Sequence, residues 1–124
     1  MKFYKCETCG NIIVFMKASG VPVMCCGKKM EELIPGTSDG AAEKHVPVIV
    51  QEENKVTVMI GEVAHPMVEE HYIQWIVLET TNGFKKVELQ PSEAPKAEFL
   101  LTDGEEVVAV YEYCNLHGLW KADK

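Results

Sequence analysis

Beyond His45 the chain is written in short runs of β-branched and aromatic residues separated by turn formers, with almost no 3.6-residue apolar spacing. Val46–Val50 is apolar and β-branched, and Val56, Val58 and Ile60 alternate with Thr57 and Met59. His71–Thr81 is a longer run rich in Ile, Val, Tyr, Trp and Thr. Asn82-Gly83 then signals a two-residue hairpin into Phe84–Leu89, and Asp103-Gly104 does the same between Ala97–Thr102 and Glu105–Tyr113. Short strands joined in this way predict an antiparallel sandwich or barrel. Only Ser38–Lys44 reads as a helical turn, and Trp75, Tyr111 and Tyr113 read as sandwich core.

The first third has a different character. Cys6, Cys9, Cys25 and Cys26 fall within 26 residues, and the turn formers Pro35-Gly36-Thr37-Ser38-Asp39-Gly40 follow. We therefore expect two domains, 1–36 and 37–124. The first is far too short to be held by an apolar core and needs a staple. Cys6-x-x-Cys9-Gly10 and Cys25-Cys26-Gly27, fifteen residues apart, offer four thiolates for a tetrahedral zinc or iron site, and spacing alone does not choose between the metals. The second pair is adjacent, which should strain the tetrahedron. Five cysteines cannot all pair within one chain, and no export signal is visible, so a reducing, cytoplasmic setting is expected. With 12 basic against 19 acidic side chains, the net charge of −7 leaves no basic stripe, so neither nucleic acid nor an anionic membrane is an expected partner. No apolar run approaches the roughly 18 residues of a membrane span.

All four histidines fall at strand ends or in loops, where a rigid sandwich presents functional groups. His45 precedes the first strand, and His65 is biased to extended backbone by Pro66. His71 lies six residues further on, and Cys114-Asn115-Leu116-His117-Gly118 is a compact turn with two ligand types. Four imidazoles and one thiolate are too many for closed zinc and one short of an octahedron, which suits a redox-active iron with one open position. Spacing alone does not establish that the five converge.

These motifs, in this order, resemble the desulfoferrodoxins, the two-iron class of superoxide reductases. The resemblance rests on the two cysteine pairs, on Glu43-Lys44-His45-Val46-Pro47, on His65-Pro66-Met67 with His71-Tyr72-Ile73-Gln74-Trp75, and on Cys114-Asn115-x-His117-Gly118-x-Trp120. It implies a mainly β chain: a small desulforedoxin-like domain, then an immunoglobulin-like, seven-stranded antiparallel β-sandwich. It implies two irons, one on Cys6, Cys9, Cys25 and Cys26, the other on His45, His65, His71 and His117 with Cys114 as axial thiolate. The implied activity is one-electron reduction of superoxide to hydrogen peroxide without oxygen release. Lys44 would then attract the anion and Glu43 cap the ferric ion, while a small donor such as rubredoxin and a homodimer complete the expectation. Two other classes of function compete. One is an electron carrier working through the sulfur site, and the other is a zinc-stapled binding module, which leaves the histidines and Cys114 without a joint purpose.

Overall fold

The computed structural model describes residues 1–38 and 40–124; Asp39, within the segment read as a linker, lies outside the described residues. The chain divides into two compact units, Met1–Ile34 and Pro35–Lys124.

The first unit is built from very short strands. β1 (Phe3–Lys5) lies between β2 (Ile12–Val14) and β5 (Glu31–Leu33), and β3 (Met24–Cys25) pairs with β4 (Lys28–Lys29) as a separate hairpin. Of its apolar side chains only Phe3, Cys6 and Met30 are buried among the described residues. So small a core does not hold 34 residues by itself.

The second unit is a sandwich of seven strands. One sheet has the order β10 (Lys96–Leu100), β7 (Lys55–Ile60), β6 (Pro47–Glu52). The other has the order β12 (Gly118–Asp123), β11 (Val107–Cys114), β8 (Ile73–Thr80), β9 (Gly83–Glu88). Val56, Val58 and Ile60 of β7 face Ile76 and Leu78 of β8 and Val110 of β11 across the core. The one helical turn, α1, spans Ala42–His45, the last part of the segment expected to be helical and one residue beyond it.

Two bulges in the β8–β11 pairing break strict alternation, between Val107 and Ala109 and again between Tyr113 and Cys114. At the second, Tyr113 faces Trp75 while Cys114 faces Ile73, so Gln74 is the extra residue. A bulge re-aims side chains, and here Ile73 joins Ile76 and Leu78 in the core, beside Cys114. Tyr111 and Tyr113 are buried, but pair with Val77 and Trp75 on the opposite face from the apolar cluster. Trp75, Tyr111 and Tyr113 therefore lie outside the apolar cluster between the sheets, whereas Phe99 of β10 belongs to it. Trp75 and Tyr113 stack at 5.7 Å between ring centroids.

Candidate metal centres

The sulfur cluster is set by two turns. Cys6 ends the reach of β1, and its carbonyl accepts from Gly10 N at 2.8 Å, which folds Cys9 back towards it. Cys25 and Lys28 pair across a two-residue turn in which Cys26 (φ 52°) and Gly27 (φ 76°) both take positive φ. That is the geometry of a type I′ hairpin. It brings two adjacent cysteines to one site, at the cost of about 1–2 kcal/mol for a non-glycine residue in the left-handed region. The four sulfurs lie within 4.8 Å of one another, Cys9 Sγ and Cys25 Sγ at 3.6 Å. Cys6 is buried, whereas Cys9 and Cys26 are exposed. Backbone N–H groups, Cys9's above all, lower the Cys6 thiol to about 6, while its sulfur neighbours, Cys9 first, push Cys26 up to about 12. Crowded thiols resist ionising together, and a bound cation removes that resistance.

The second cluster joins three separate parts of the second unit. His45 closes α1, His65 and His71 bracket the loop before β8, and Cys114 and His117 flank the turn from β11 to β12. Ligand atoms of His45, His65, His71 and Cys114 lie within 4.8 Å of one another. His117 joins them through Nδ1, 3.2 Å from His45 Nε2 and 4.0 Å from Cys114 Sγ. All five residues expected from the sequence are thus brought together. Gly61 shapes the approach of α1: it has φ +84°, and a Cβ there would lie 2.7 Å from the Lys44 carbonyl oxygen.

Proton positions follow from the partners. A carbonyl oxygen only accepts, so His45 Nδ1 donates to Ala41 O (2.8 Å) and His65 Nδ1 donates to Pro66 O (2.7 Å). Burial holds both imidazoles neutral, with His65 pushed down to about 4. Their Nε2 atoms therefore meet as bare lone pairs at 3.1 Å. Two nitrogens bound side by side to one cation, each about 2.1 Å from it, lie about 3 Å apart. His71 Nε2 is buried with no hydrogen-bond partner, as a donor nitrogen awaiting a metal would be. Burial raises the Cys114 thiol, and the backbone N–H groups of His117 and Leu116 oppose that rise. The donor set fits a transition-metal ion.

Other side chains frame this cluster. Trp120 stacks on His45 (5.0 Å, 25°) and donates from Nε1 to His117 O at 3.0 Å. Ser38 donates to the same carbonyl, and Gly36 N donates to Leu119 O, so the turn-forming segment is tied to this unit. A Cβ on Gly40 would lie 2.9 Å from His117 Cβ. Glu43 and Lys44 are exposed on α1. After burial and the charges of the other histidines, the Lys44 ammonium is a further cause of the lowered basicity of His71 and His45. Two features were not visible in the sequence. Glu112, two residues before Cys114, is fully buried, and both its carboxyl oxygens lack partners; burial pushes it up to about 9. Asn115, legible only as a bend former, bonds to both sides of His71.

Two family models match the chain: Desulfoferrodoxin over residues 37–123, and Desulfoferrodoxin, N-terminal domain, over residues 1–33. The chain belongs to the desulfoferrodoxin family. A Desulfoferrodoxin of Nitratidesulfovibrio vulgaris is 50% identical over 122 residues, covering 98% of this chain and 95% of that one. The superoxide reductase of Treponema pallidum superposes with a TM-score of 0.83 at 37% identity, covering 98% of each chain. A shorter structure, a superoxide reductase (1Fe-SOR) of Giardia intestinalis, matches 66% of this chain and 97% of its own, with a TM-score of 0.57 at 34% identity. A match of that length is longer than the 34-residue first unit and so must draw on the sandwich. The sulfur and histidine–thiolate clusters match the two-iron class of desulfoferrodoxins.

Proposed function

We propose that this chain is a superoxide reductase whose reaction takes place at the second iron, held by the histidine–thiolate cluster, with Cys6, Cys9, Cys25 and Cys26 holding a separate first iron. The observation that carries the reading is the convergence of four imidazoles and one buried thiol on one point of the sandwich. Bound there, ferrous iron supplies one electron and a Lewis-acid site, so that superoxide, one electron and two protons give hydrogen peroxide with no oxygen released.

The protein's own groups set the conditions. Burial keeps His45 and His65 uncharged, and Ala41 O and Pro66 O lock the tautomers of these two. Trp120 covers the His45 ring and excludes water from that side. Cys114 is the only sulfur ligand in the set. The second unit carries seven lysines against sixteen acids, so at long range it repels an anion. Attraction must come from near the site, within a Debye length of about 8 Å, and Lys44, next to His45 in the chain, would supply it. Glu43, next to it on α1, is the carboxylate available to cap the ion after product leaves. A small one-electron carrier such as rubredoxin restores the reduced state, the chain works as a homodimer, and its five free thiols suit the cytoplasm.

Rapid mixing of the reduced two-iron protein with superoxide tests this. The expected result is one donor electron consumed per superoxide and no oxygen, with Cys114→Ser inactive but still carrying the first iron. Oxygen release without donor consumption would overturn the proposal.

A further inference from the structure

The histidines of the second cluster are not held alike. His45 and His65 each anchor a ring nitrogen on a backbone carbonyl, and the His117 carbonyl is gripped by Trp120 and Ser38. The imidazole of His71 has no hydrogen-bond partner among the described residues, and its Nε2 is buried. Its ring lies against fellow ligands, with centroids 4.6 Å from His65 and 5.1 Å from His117. A ligating histidine is ordinarily oriented through its second nitrogen. His71 must be oriented through its backbone instead.

That backbone is fastened by one side chain. Asn115 Nδ2 donates to Glu70 O at 2.9 Å, and Tyr72 N donates to Asn115 Oδ1 at 2.9 Å, so the amide spans His71 from the residue before it to the residue after it. Asn115 N also donates to Tyr72 O, at 3.3 Å. The reciprocal pairing of Val68 with His71 closes the loop on itself, and Met67 ties its start to Ser92 and Ile73. Neither connects it to the turn that carries Cys114 and His117. Asn115 sits inside that turn, one residue after Cys114 and two before His117.

We infer that Asn115 is a positioning residue: it stands in for the missing ring hydrogen bond of His71 and sets that imidazole against the Cys114–His117 turn. This rests on the reading of the second cluster as an iron site. Only an amide does both tasks, because the two backbone groups that flank His71 have opposite polarity. A carboxylate keeps the acceptor for Tyr72 N and loses the donor for Glu70 O, and a leucine loses both.

The test uses the two-iron protein, with the first iron as internal reference. Loss of the second iron to a chelator and the electron paramagnetic resonance line shape of its ferric form are followed in Asn115→Leu and Asn115→Asp. Loss of a ligand's supporting hydrogen bonds typically weakens metal binding by roughly 10- to 100-fold. We expect release of the second iron to quicken by that order in Asn115→Leu and by less in Asn115→Asp, with altered line shapes and an unchanged first iron. In a His71→Ala background Asn115→Leu should add little, because its partner is already gone. Wild-type release and line shape in Asn115→Leu, or an equal acceleration with and without His71, would overturn the inference. Because the readout is iron retention, a protein that holds iron yet evolves oxygen sinks the reductase reading and leaves this one standing.

Discussion

Lys44 and Glu112 show how much a single residue's surroundings decide. Both are ionisable and both lie within two residues of a candidate ligand, yet one is exposed on a helical turn and the other is sealed in the core. A unit charge about 6 Å from an approaching anion, at an effective dielectric of 20–80, contributes roughly 0.7–3 kcal/mol. Lys44→Glu should therefore slow the encounter of superoxide with the reduced protein by about an order of magnitude or more at low salt, and less as salt rises. Stopped-flow rates across an ionic-strength series check this; a rate indifferent to the substitution returns Lys44 to the plain surface. Glu112 faces the opposite consequence. An unsatisfied buried polar group costs about 1–3 kcal/mol, so Glu112→Leu should stabilise the fold by an amount of that order and raise the urea midpoint accordingly. A lowered midpoint would mean that its carboxyl has a structural task that the packing does not reveal.

At the scale of elements, the connections between strands are fixed by side chains that reach from one loop to another. Glu105, just before β11, accepts from Thr80 Oγ1 at 2.5 Å and from Thr102 N at 2.9 Å, joining the end of β8 to the turn after β10. The Thr80 hydroxyl, then the Thr102 amide, hold the Glu105 carboxyl below its usual range. A depressed carboxylate contributes stability that is present above its unfolded pKa and is lost as pH falls through the folded value. Glu105→Gln should accordingly be less stable than the parent at pH 6 and nearly equal to it at pH 3, as read from urea midpoints at the two values. A constant difference at both pH values would show that the contribution is packing and not charge.

At the scale of the molecule, the two units are stabilised differently. The sandwich has a continuous apolar cluster, whereas the first unit has three buried apolar side chains and four converging sulfurs. Metal binding is folding free energy in domains of that kind. Cys9→Ser should remove the absorption of the first iron and unfold Met1–Ile34, while the sandwich keeps its iron and its reaction with superoxide. Amide exchange resolved by segment, with the optical spectrum, would show both effects; loss of the second iron in this variant would mean that the units depend on each other.

The sequence by itself determined the strand-rich second part, the β8–β9 hairpin at Asn82-Gly83, the metal-stapled first part and the nine candidate donor residues. These are local facts: turn chemistry, period and donor type are written in neighbouring residues. Only the tertiary structure decided which residues meet. The hairpin expected at Asp103-Gly104 is instead a crossing from β10 in one sheet to β11 in the other. The bulge at Gln74 places Ile73 beside Cys114 where a strict two-residue period would have turned it away. Tyr111 and Tyr113 bury themselves on the face away from the apolar cluster for the same kind of reason, since burial on two faces erases the alternation that sequence reading relies on. The second cluster draws on residues 45 to 117, and the tautomers of His45 and His65 are set by the carbonyls of Ala41 and Pro66, groups that every residue possesses and no sequence pattern marks. Asn115 looked like a bend former because its partners, Glu70 and Tyr72, lie more than forty positions away. Contact between distant segments depends on register and on the packing of the two sheets, and that information is held by the fold as a whole.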